Sequence, residues 1–296
     1  MPRAGIVTVV GKPNVGKSTL LNRIIGQKLS ITSSKPQSTR DRIVGIHSDD
    51  DVQMVILDTP GLLEPRYELQ RAMRATALRA LDDADVVVYL VDAHDPSAPP
   101  LADAAALEKP PAAPVITAFN KVDTLDPEAR EKLLSRAAGD EAVVPISAAS
   151  GEGVELLLER IGTLLPESPF LYPEDEIGTQ SLRFFAAELI RETALEQLEE
   201  EVPYSVACEI EEFREERRPI YIRAVVYVER PTQKQILIGR KGERIREIGR
   251  ASRAKIEDLV GAPVYLDLWV KVLPNWRRNV KALRRFGYKP PEDTTP

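Results

Sequence analysis

Residues 11–18 of this 296-residue chain are Gly11-Lys12-Pro13-Asn14-Val15-Gly16-Lys17-Ser18, which fit the pattern G-x-x-x-x-G-K-[ST]. An apolar run at residues 6–10 predicts a strand before them, and apolar spacing over 18–25 predicts a helix after them. The glycines allow backbone N–H groups to surround phosphate oxygens at the positive end of that helix. The stretch therefore predicts a nucleoside triphosphate site, whose expected contact residues are Gly11, Asn14, Val15, Gly16, Lys17, Ser18 and Thr19.

The sequence around this loop predicts an α/β domain over residues 1–165. Further short runs rich in Val and Ile lie at 52–57, 86–91, 115–119 and 143–146. They lack polar alternation, which is typical of strands buried on both faces of a mainly parallel sheet. Helical spacing separates them at 67–81, 128–138 and 154–165. We expect residues 95–114 to form a loop with one short helix around 101–107.

A second phosphate motif, Asp58-Thr59-Pro60-Gly61, follows the predicted strand 52–57. An aspartate at this place can hold Mg²⁺, and the Gly61 N–H can sense the γ-phosphate. The polar segment 33–42 lies where a first switch belongs, and Thr39 is the expected magnesium ligand, with Ser38 as its rival. The predicted metal ligands are therefore Ser18, Thr39 and Asp58.

The segment Asn120-Lys121-Val122-Asp123 predicts that the base is guanine. A carboxylate at Asp123 can accept hydrogen bonds from the N1–H and 2-amino groups of guanine, a donor pair that adenine lacks. Asn120 would brace the loop and approach the base edge, and the stem of Lys121 would lie along the purine. Ser147 and Ala148, after the next strand, would place their backbone near the guanine oxygen.

The residues that would drive hydrolysis are less evident in the sequence. Leu62 occupies the place where many GTPases have a water-orienting glutamine, so no catalytic residue is assigned and slow intrinsic turnover is expected. Asn14 matches a residue that binds K⁺ in a related subset of GTPases, and K⁺ as a further cofactor is a hypothesis. The two histidines, His47 and His94, are interpreted as spectators.

The chain beyond residue 165 has a different composition and a different charge. Residues 166–180, rich in Pro and acidic residues, predict a linker to a second domain over 181–296. This second part has 22 Lys and Arg against 19 Asp and Glu, net +3, whereas residues 1–180 are net −9. The asymmetry indicates a partner with negative charge for the second domain.

The second domain shows the order α-β-β-α-α-β, with helices expected at 182–200, 232–238 and 244–260 and strands at 205–213, 219–229 and 264–272. A basic helix is expected over 276–286. A G-x-x-G turn, Gly239-Arg240-Lys241-Gly242, connects two of the helices. Such a turn admits the backbone of single-stranded nucleic acid, here RNA in preference to DNA. The predicted RNA contacts are Lys234, Ile238, Gly239, Arg240, Lys241, Gly242, Arg244 and Arg246.

A GTP-binding domain followed by a C-terminal KH domain of type II resembles the Era family of bacterial GTPases. Five stretches carry the resemblance, at 11–22, 39–45, 202–207, 238–249 and 266–272 with Trp276. The resemblance implies a GTP hydrolase that uses GTP/GDP and Mg²⁺. It also implies binding near the 3′ end of small-subunit rRNA and a part in assembling the small ribosomal subunit. Peripheral association with the inner face of the cell membrane is attributed to the family too.

Two alternatives remain open at this point. The first is a signalling switch with a protein partner, and the second is a membrane-surface GTPase in which basic residues 271–289 meet anionic lipid. The single cysteine, Cys208, excludes a disulfide framework and a zinc site of several thiolates. The absence of a signal-like or long apolar segment leads us to expect a cytoplasmic protein.

Overall fold

The computed structural model describes residues 1–33, 35–95 and 97–291. The part of the predicted second domain at 292–296 therefore lies outside the described residues. Contacts between Cα atoms divide the chain into two compact units, one formed by residues 1–65 and 73–179, the other by residues 66–72 and 180–296. This division does not test the predicted domain bounds at 165 and 181, which remain predictions.

The first unit is built on a six-stranded sheet with the order β2-β3-β1-β4-β5-β6. Only β2 runs antiparallel to its neighbour among the pairs of this sheet, which confirms a mainly parallel α/β fold. The strands are β1 Arg3–Val10, β2 Ile43–Ser48, β3 Val52–Asp58, β4 Val86–Asp92, β5 Val115–Asn120 and β6 Val143–Ile146. The helices between them in the chain are α1 Lys17–Ile25, α2 Glu68–Asp82, α3 Leu101–Ala104, α4 Pro127–Ala138 and α5 Val154–Leu164. The first residues of α2, up to position 72, are counted with the second unit.

Strand β2 is the element that the sequence pattern did not predict. Its residues include Gly45 and His47, which interrupt the apolar run that marks the other strands. Gly45 packs closely against α1, since a Cβ atom there would lie 2.6 Å from Leu21 Cδ1 and would require that side chain to shift. The helix expected around 101–107 is also shorter than predicted, a single turn at Leu101–Ala104.

Most of the predicted linker belongs to the first unit. The N–H of Ser168 donates to the carbonyl of Pro2, and the N–H of Ile46 donates to the carbonyl of Ile177. The side chain of Gln53 accepts from the N–H groups of Leu171 and Tyr172 at 2.7 and 2.9 Å. Residues 166–177 therefore pass from the start of β1 past β3 to the edge strand β2, and their backbone groups have partners at all three strands.

The second unit contains a three-stranded sheet with the order β7-β8-β9, in which β8 is antiparallel to β7 and parallel to β9. One face of this sheet and its helices share a core of small and branched apolar residues, among them Ile190, Ala224, Val226, Leu237 and Ile248. The order α-β-β-α-α-β is that of a type II KH domain, as predicted. Its elements are α6 Leu182–Gln197, β7 Ala207–Arg214, β8 Ile220–Val228, α7 Pro231–Ile238, α8 Glu243–Val260 and β9 Val264–Val272.

The prediction of one continuous basic helix over 276–286 is wrong. The structure has one 3-10 turn at Trp276–Arg278 and a separate helix α9 at Val280–Arg285. The break is at Asn279, whose side chain accepts from the N–H of Ala282 and so caps α9. Trp276 is buried and donates its indole N–H to the carbonyl of Ser205 at 2.8 Å.

Among the described residues, no helix has the length and apolar content that crossing a membrane would require.

Replacing Trp276 by alanine should strongly destabilise the second unit. The side chain is 0% exposed and its ring packs against Phe286 at 5.2 Å between centroids. Deleting a buried aromatic ring typically costs about 3–5 kcal/mol of the free energy of unfolding. Urea titrations followed by circular dichroism measure this loss. Trp269→Ala is the matched control, because Trp269 is 56% exposed; equal losses in the two variants would contradict the assignment.

Candidate functional site

The loop at residues 11–18 lies at the carboxyl end of β1 and opens α1. Gly16 has a φ of +102°, and a Cβ atom there would lie 2.2 Å from Asn120 Nδ2. Both facts require glycine, because L side chains rarely adopt this conformation and no space is left for one. Inside the loop, Lys17 Nζ donates to the carbonyls of Gly11 and Lys12 at 3.2 and 3.0 Å. The ammonium group is therefore held where it can meet the phosphates of a nucleotide.

The three predicted metal ligands come together beside this loop. Ser18 Oγ lies 2.7 Å from Asp58 Oδ2 and 2.8 Å from Thr39 Oγ1. Thr39 is buried, and its hydroxyl also faces Asp58 Oδ2 at 3.4 Å. The geometry supports Thr39 as the switch ligand, although Ser38 also lines the cavity described below.

The residues at this point fit a magnesium ion. Asp58 is buried, and its Oδ1 atom has no hydrogen-bond partner among the described residues. A hard oxygen donor that is left over in a buried position is suited to Mg²⁺, which is commonly held by one or two carboxylates together with phosphates and water. Ser18, Thr39 and Asp58 would hold the ion, and the ion would supply charge neutralisation to the phosphates.

Burial shifts the two charged groups of this site in opposite directions. Burial lowers the pKa of Lys17 to about 8, although the carboxylate of Asp58 opposes the shift. Burial also raises the pKa of Asp58, although Lys17 and the neighbouring hydroxyls oppose this. Each charged form is thus disfavoured by loss of water. Phosphate oxygens and a divalent cation would provide the missing counter-charges.

Sequence reasoning missed Ser30, which is completely enclosed and donates its hydroxyl to Asp58 Oδ2 at 2.7 Å. The loop that holds Ser30 is fixed by Asn22 of α1, whose side-chain oxygen accepts from the N–H groups of Leu29 and Ser30. Ser30 belongs to none of the motifs, and only the fold brings it to the carboxylate.

The second phosphate motif packs directly against the first. A Cβ atom on Gly61 would lie 2.8 Å from the backbone nitrogen of Pro13, so the two loops meet where only glycine fits. The N–H of Leu62 donates to the carbonyl of Gly11 at 2.9 Å. The Leu62 side chain is buried in an apolar cluster with Val10 and Tyr89. Leu62 is therefore a core residue and has no group that could orient water.

The predicted base site is assembled around Asn120 at the end of β5. Its Nδ2 donates to the carbonyl of Val15 at 2.7 Å, and its Oδ1 accepts from the N–H of Ala148 at 2.8 Å. Asn120 thus ties the phosphate loop to the segment after β6 and has the predicted bracing role. Ser147 is buried, and its hydroxyl accepts from the N–H of Ser150 at 3.1 Å.

The other side chains of the base site have partners of their own. Lys121 has a φ of +76° and donates its ammonium group to Asp92 Oδ2 at 2.7 Å. Asp123 is exposed and faces the same cavity as Lys121. Arg23 of α1, which sequence reasoning also missed, donates to the carbonyls of Ala148 and Ala149. Arg23 therefore stabilises the position of the segment after β6.

These loops enclose one cavity of about 310 Å³. Residues from both phosphate loops, the switch segment and the base loop line it. Four of the predicted nucleotide contacts do not line it, namely Gly11, Val15, Asp58 and Ser147. The carbonyls of Gly11 and Val15 instead accept hydrogen bonds from Lys17 and Asn120. The lining residues from the predictions are Asn14, Gly16, Lys17, Ser18, Thr19, Thr39, Gly61, Asn120, Lys121, Asp123 and Ala148.

In the second unit, the G-x-x-G turn lies between α7 and α8 as predicted. Gly239 and Gly242 have φ values of +71° and +78°, and a Cβ atom on Gly239 would lie 2.6 Å from Arg244 Cβ. Arg240 and Lys241 between them are exposed. The turn therefore presents two cations on a backbone that leaves room for a ligand at the glycines.

The flanking predicted residues divide into two groups. Arg244 donates to the carbonyl of Gln197 at 2.8 Å, and Arg246 donates to the carbonyl of Lys241 at 2.5 Å. Arg246 therefore stabilises the turn, whereas Arg244 connects the start of α8 to the end of α6. Lys234 and Ile238 of α7 are half-buried beside it.

The fold and these sites define a P-loop GTPase joined to a KH domain. A family described as "50S ribosome-binding GTPase" matches residues 6–121, and the KH domain family matches residues 201–277. The chain is 47% identical to GTPase Era of Marinobacter nauticus, covering 96% of this chain and 95% of that protein. It is 45% identical to GTPase Era of Pseudomonas aeruginosa, covering 97% and 95%. The chain belongs to the Era family of GTPases.

Two solved structures are similar over nearly the full length. One is a variant of Aquifex aeolicus Era bound to GDP·AlF4⁻, with a TM-score of 0.89 and 39% identity, covering 97% of this chain and 99% of that one. The other is Era in complex with MgGDPNP and nucleotides 1506–1542 of 16S ribosomal RNA, with a TM-score of 0.90, 39% identity and the same coverage.

Replacing Ser30 by alanine should weaken magnesium binding without touching a nucleotide contact. Groups that orient a metal ligand typically account for about 10–100-fold in metal affinity or activity. We expect the Mg²⁺ concentration for half-maximal GTP hydrolysis to rise about tenfold, at the low end of that range. A magnesium titration of the steady-state rate measures it. Ser97→Ala, at an exposed serine, is the control; an unchanged titration midpoint in Ser30→Ala would contradict the role.

Proposed function

We propose that this GTPase binds the 3′ end of small-subunit ribosomal RNA and acts in the assembly of the small ribosomal subunit in the cytoplasm. The observation that carries the proposal is the full-length similarity to an Era structure that contains both a GTP analogue and that RNA segment. In this chain, the nucleotide would occupy the cavity of the first unit, and the RNA would bind at the G-x-x-G turn of the second.

The chemistry of the turn supports RNA as its ligand. Glycine at 239 and 242 allows a sugar–phosphate chain to approach the backbone, and the exposed side chains of Arg240 and Lys241 attract phosphate. Arg246 stabilises the turn through its hydrogen bond to the carbonyl of Lys241, and Arg244 connects the start of α8 to α6. These contacts are to phosphate and sugar, so the base sequence would be recognised by neighbouring residues such as Lys234 and Ile238.

GTP binding would control the RNA affinity through the switch residues. Thr39 and Gly61 both lie on the cavity wall, where a γ-phosphate and its Mg²⁺ would bring them into one arrangement. A coupling free energy of about 1–3 kcal/mol between two sites changes an affinity by about 5–150-fold, and the effect is reciprocal. The nucleotide state would thus decide how long the protein stays on the RNA.

The proposal predicts that RNA affinity depends both on the nucleotide and on the turn. An RNA oligonucleotide with the 3′-terminal sequence of small-subunit rRNA should bind at least about fivefold differently to the GDP and GTP-analogue states. Arg240→Glu with Lys241→Glu should weaken binding in both states. Because each single-strand phosphate contact contributes about 0.7 to the salt slope of log K, two lost contacts should lower that slope by roughly 1.4. Fluorescence anisotropy across a salt series measures both quantities.

Lys281→Glu with Arg284→Glu is the matched control for charge. Both residues are exposed in α9, so this variant removes the same charge from the same unit away from the turn. If both pairs of substitutions weakened RNA binding equally, the affinity would depend on net charge alone and not on the turn. Identical affinities in the two nucleotide states would overturn the proposed coupling.

Peripheral membrane binding by residues 271–289 has less support. Trp276, an aromatic residue within this segment, is buried against Phe286 and Tyr288. The segment is also not one amphipathic helix, because Asn279 separates its two short elements. Flotation with anionic vesicles, with and without the RNA oligonucleotide, separates lipid binding from RNA binding.

A monovalent cation is proposed to compensate for the absence of a polar side chain at Leu62. Asn14 lines the cavity and has a φ of +64°, next to where the phosphates would lie. Its side-chain oxygen could hold K⁺, whose charge would act as an arginine finger does. We expect faster GTP hydrolysis in KCl than in NaCl of the same ionic strength, and loss of that difference in Asn14→Ala. Equal rates of the unsubstituted protein in the two salts would contradict the hypothesis.

A further inference from the structure

A chain of hydrogen bonds connects the predicted base loop to the end of β4. Asp92 is the last residue of β4 and pairs in register with Asn120, the last residue of β5. Its Oδ2 accepts from Lys121 Nζ at 2.7 Å. Its Oδ1 accepts from the N–H of His94 at 3.1 Å and lies 2.8 Å from His94 Nδ1. Asp92 therefore connects the base loop to His94.

Thr124 closes this chain of contacts into a ring. Its hydroxyl donates to the carbonyl of Lys121 at 2.8 Å, and His94 Nε2 lies 3.4 Å from the same oxygen. The ring runs from the Lys121 ammonium through Asp92, His94 and Thr124 back to the Lys121 carbonyl. Lys121 itself has a backbone in the left-handed region, which is unfavourable for a lysine, and the ring stabilises this conformation.

The donors and acceptors in the ring favour one protonation state of His94. The single hydroxyl hydrogen of Thr124 is used on the Lys121 carbonyl, so the contact with His94 Nε2 is attractive only if Nε2 carries a hydrogen. Nδ1 faces a carboxylate oxygen and must also be a donor. An imidazole with hydrogens on both nitrogens is the cationic form.

We infer that His94, acting through Asp92 and Thr124, is a positioning residue that sets the guanine specificity of this GTPase. The inference rests on the proposed nucleotide site. The ring fixes the backbone at Lys121, and Asp123, two residues further along, must meet the N1–H and 2-amino groups of the base. Loosening the ring would weaken contacts to the base edge and leave the phosphate contacts unchanged.

The electrostatics of the surrounding groups agree with the geometry. Burial alone would raise the pKa of Asp92, but hydrogen bonds from Lys121 and His94 lower it to about 2. The hydrogen bond to Asp92 raises the pKa of His94, whereas the charge of Lys121 acts against this. On its other side His94 borders a cavity of about 540 Å³, whose charged lining residues are Asp126, Glu128, Lys132 and Arg136.

The direction of the pH dependence follows from the raised pKa. The ring is complete while His94 is protonated, so its contribution is present at low pH and is lost as the pH rises through the pKa of His94 in the folded protein. Asp92 is ionised throughout this range. The preference for guanine should therefore be greater near pH 6 than near pH 8.

The experiment compares GDP with inosine diphosphate, which lacks the 2-amino group. The dissociation constant of inosine diphosphate divided by that of GDP reports contacts to the base edge, because the two nucleotides share all phosphate contacts. In the unsubstituted protein this ratio should fall about three- to tenfold from about pH 6 to about pH 8, the effect of one hydrogen bond. His94→Gln should give a small ratio that does not change with pH. His47→Gln, at the only other histidine, should behave as the unsubstituted protein.

Each outcome decides the inference. A ratio that is constant with pH in the unsubstituted protein overturns it, and this measurement needs no variant to fold. A His94→Gln variant that loses affinity for both nucleotides equally also overturns it, because a structural role would act on both. A protein that binds GDP no more tightly than ADP at either pH contradicts the proposed nucleotide site itself, which is thereby distinguished from failure of the His94 ring alone.

Discussion

The burial of one lysine and one aspartate at the carboxyl end of the parallel sheet is the constraint on which the site depends. Lys17 and Asp58 are both removed from water, and Asp58 Oδ1 has no hydrogen-bond partner in the described part of the chain. Buried charges of this kind are costly unless they are paired and hydrogen-bonded. The fold tolerates them because β1, β3 and α1 pack around them with hydroxyl groups and carbonyls. A nucleotide with its cation would relieve this cost, which links binding to the order of the surrounding loops.

Some residues around these buried charges were predicted from the sequence, and others were not. Each phosphate or base motif consists of residues that are close together in the chain. Gly16, Lys17, Asp58 and Asn120 could therefore be assigned to motifs before the fold was known. Ser30 and Arg23 contact the same site from elements that carry no motif, and tertiary packing alone brings them there. Their spacing in the sequence contains no signal, because a serine or an arginine on a helix or loop usually faces solvent.

The errors in the fold prediction have a similar origin. The five predicted strands of the first unit share uninterrupted apolar runs, whereas β2 is interrupted by Gly45, which packs closely against α1. The contacts of His94, which was interpreted as a spectator, lie outside sequence reasoning for a related reason. Its partners Asp92, Lys121 and Thr124 come from two different strand ends, and only the pairing of β4 with β5 brings them together.

The two units recognise anions by different physical means. The first part of the chain is net −9, yet a phosphate loop needs only backbone N–H groups and one buried ammonium, whose low-dielectric surroundings make a short-range contact strong. The second part is net +3 and keeps Arg240 and Lys241 in solvent, where attraction to phosphate is weaker and sensitive to salt. In the proposed function, the nucleotide would therefore act as the controlling ligand, while the RNA would be held by contacts that a moderate change in free energy is sufficient to release.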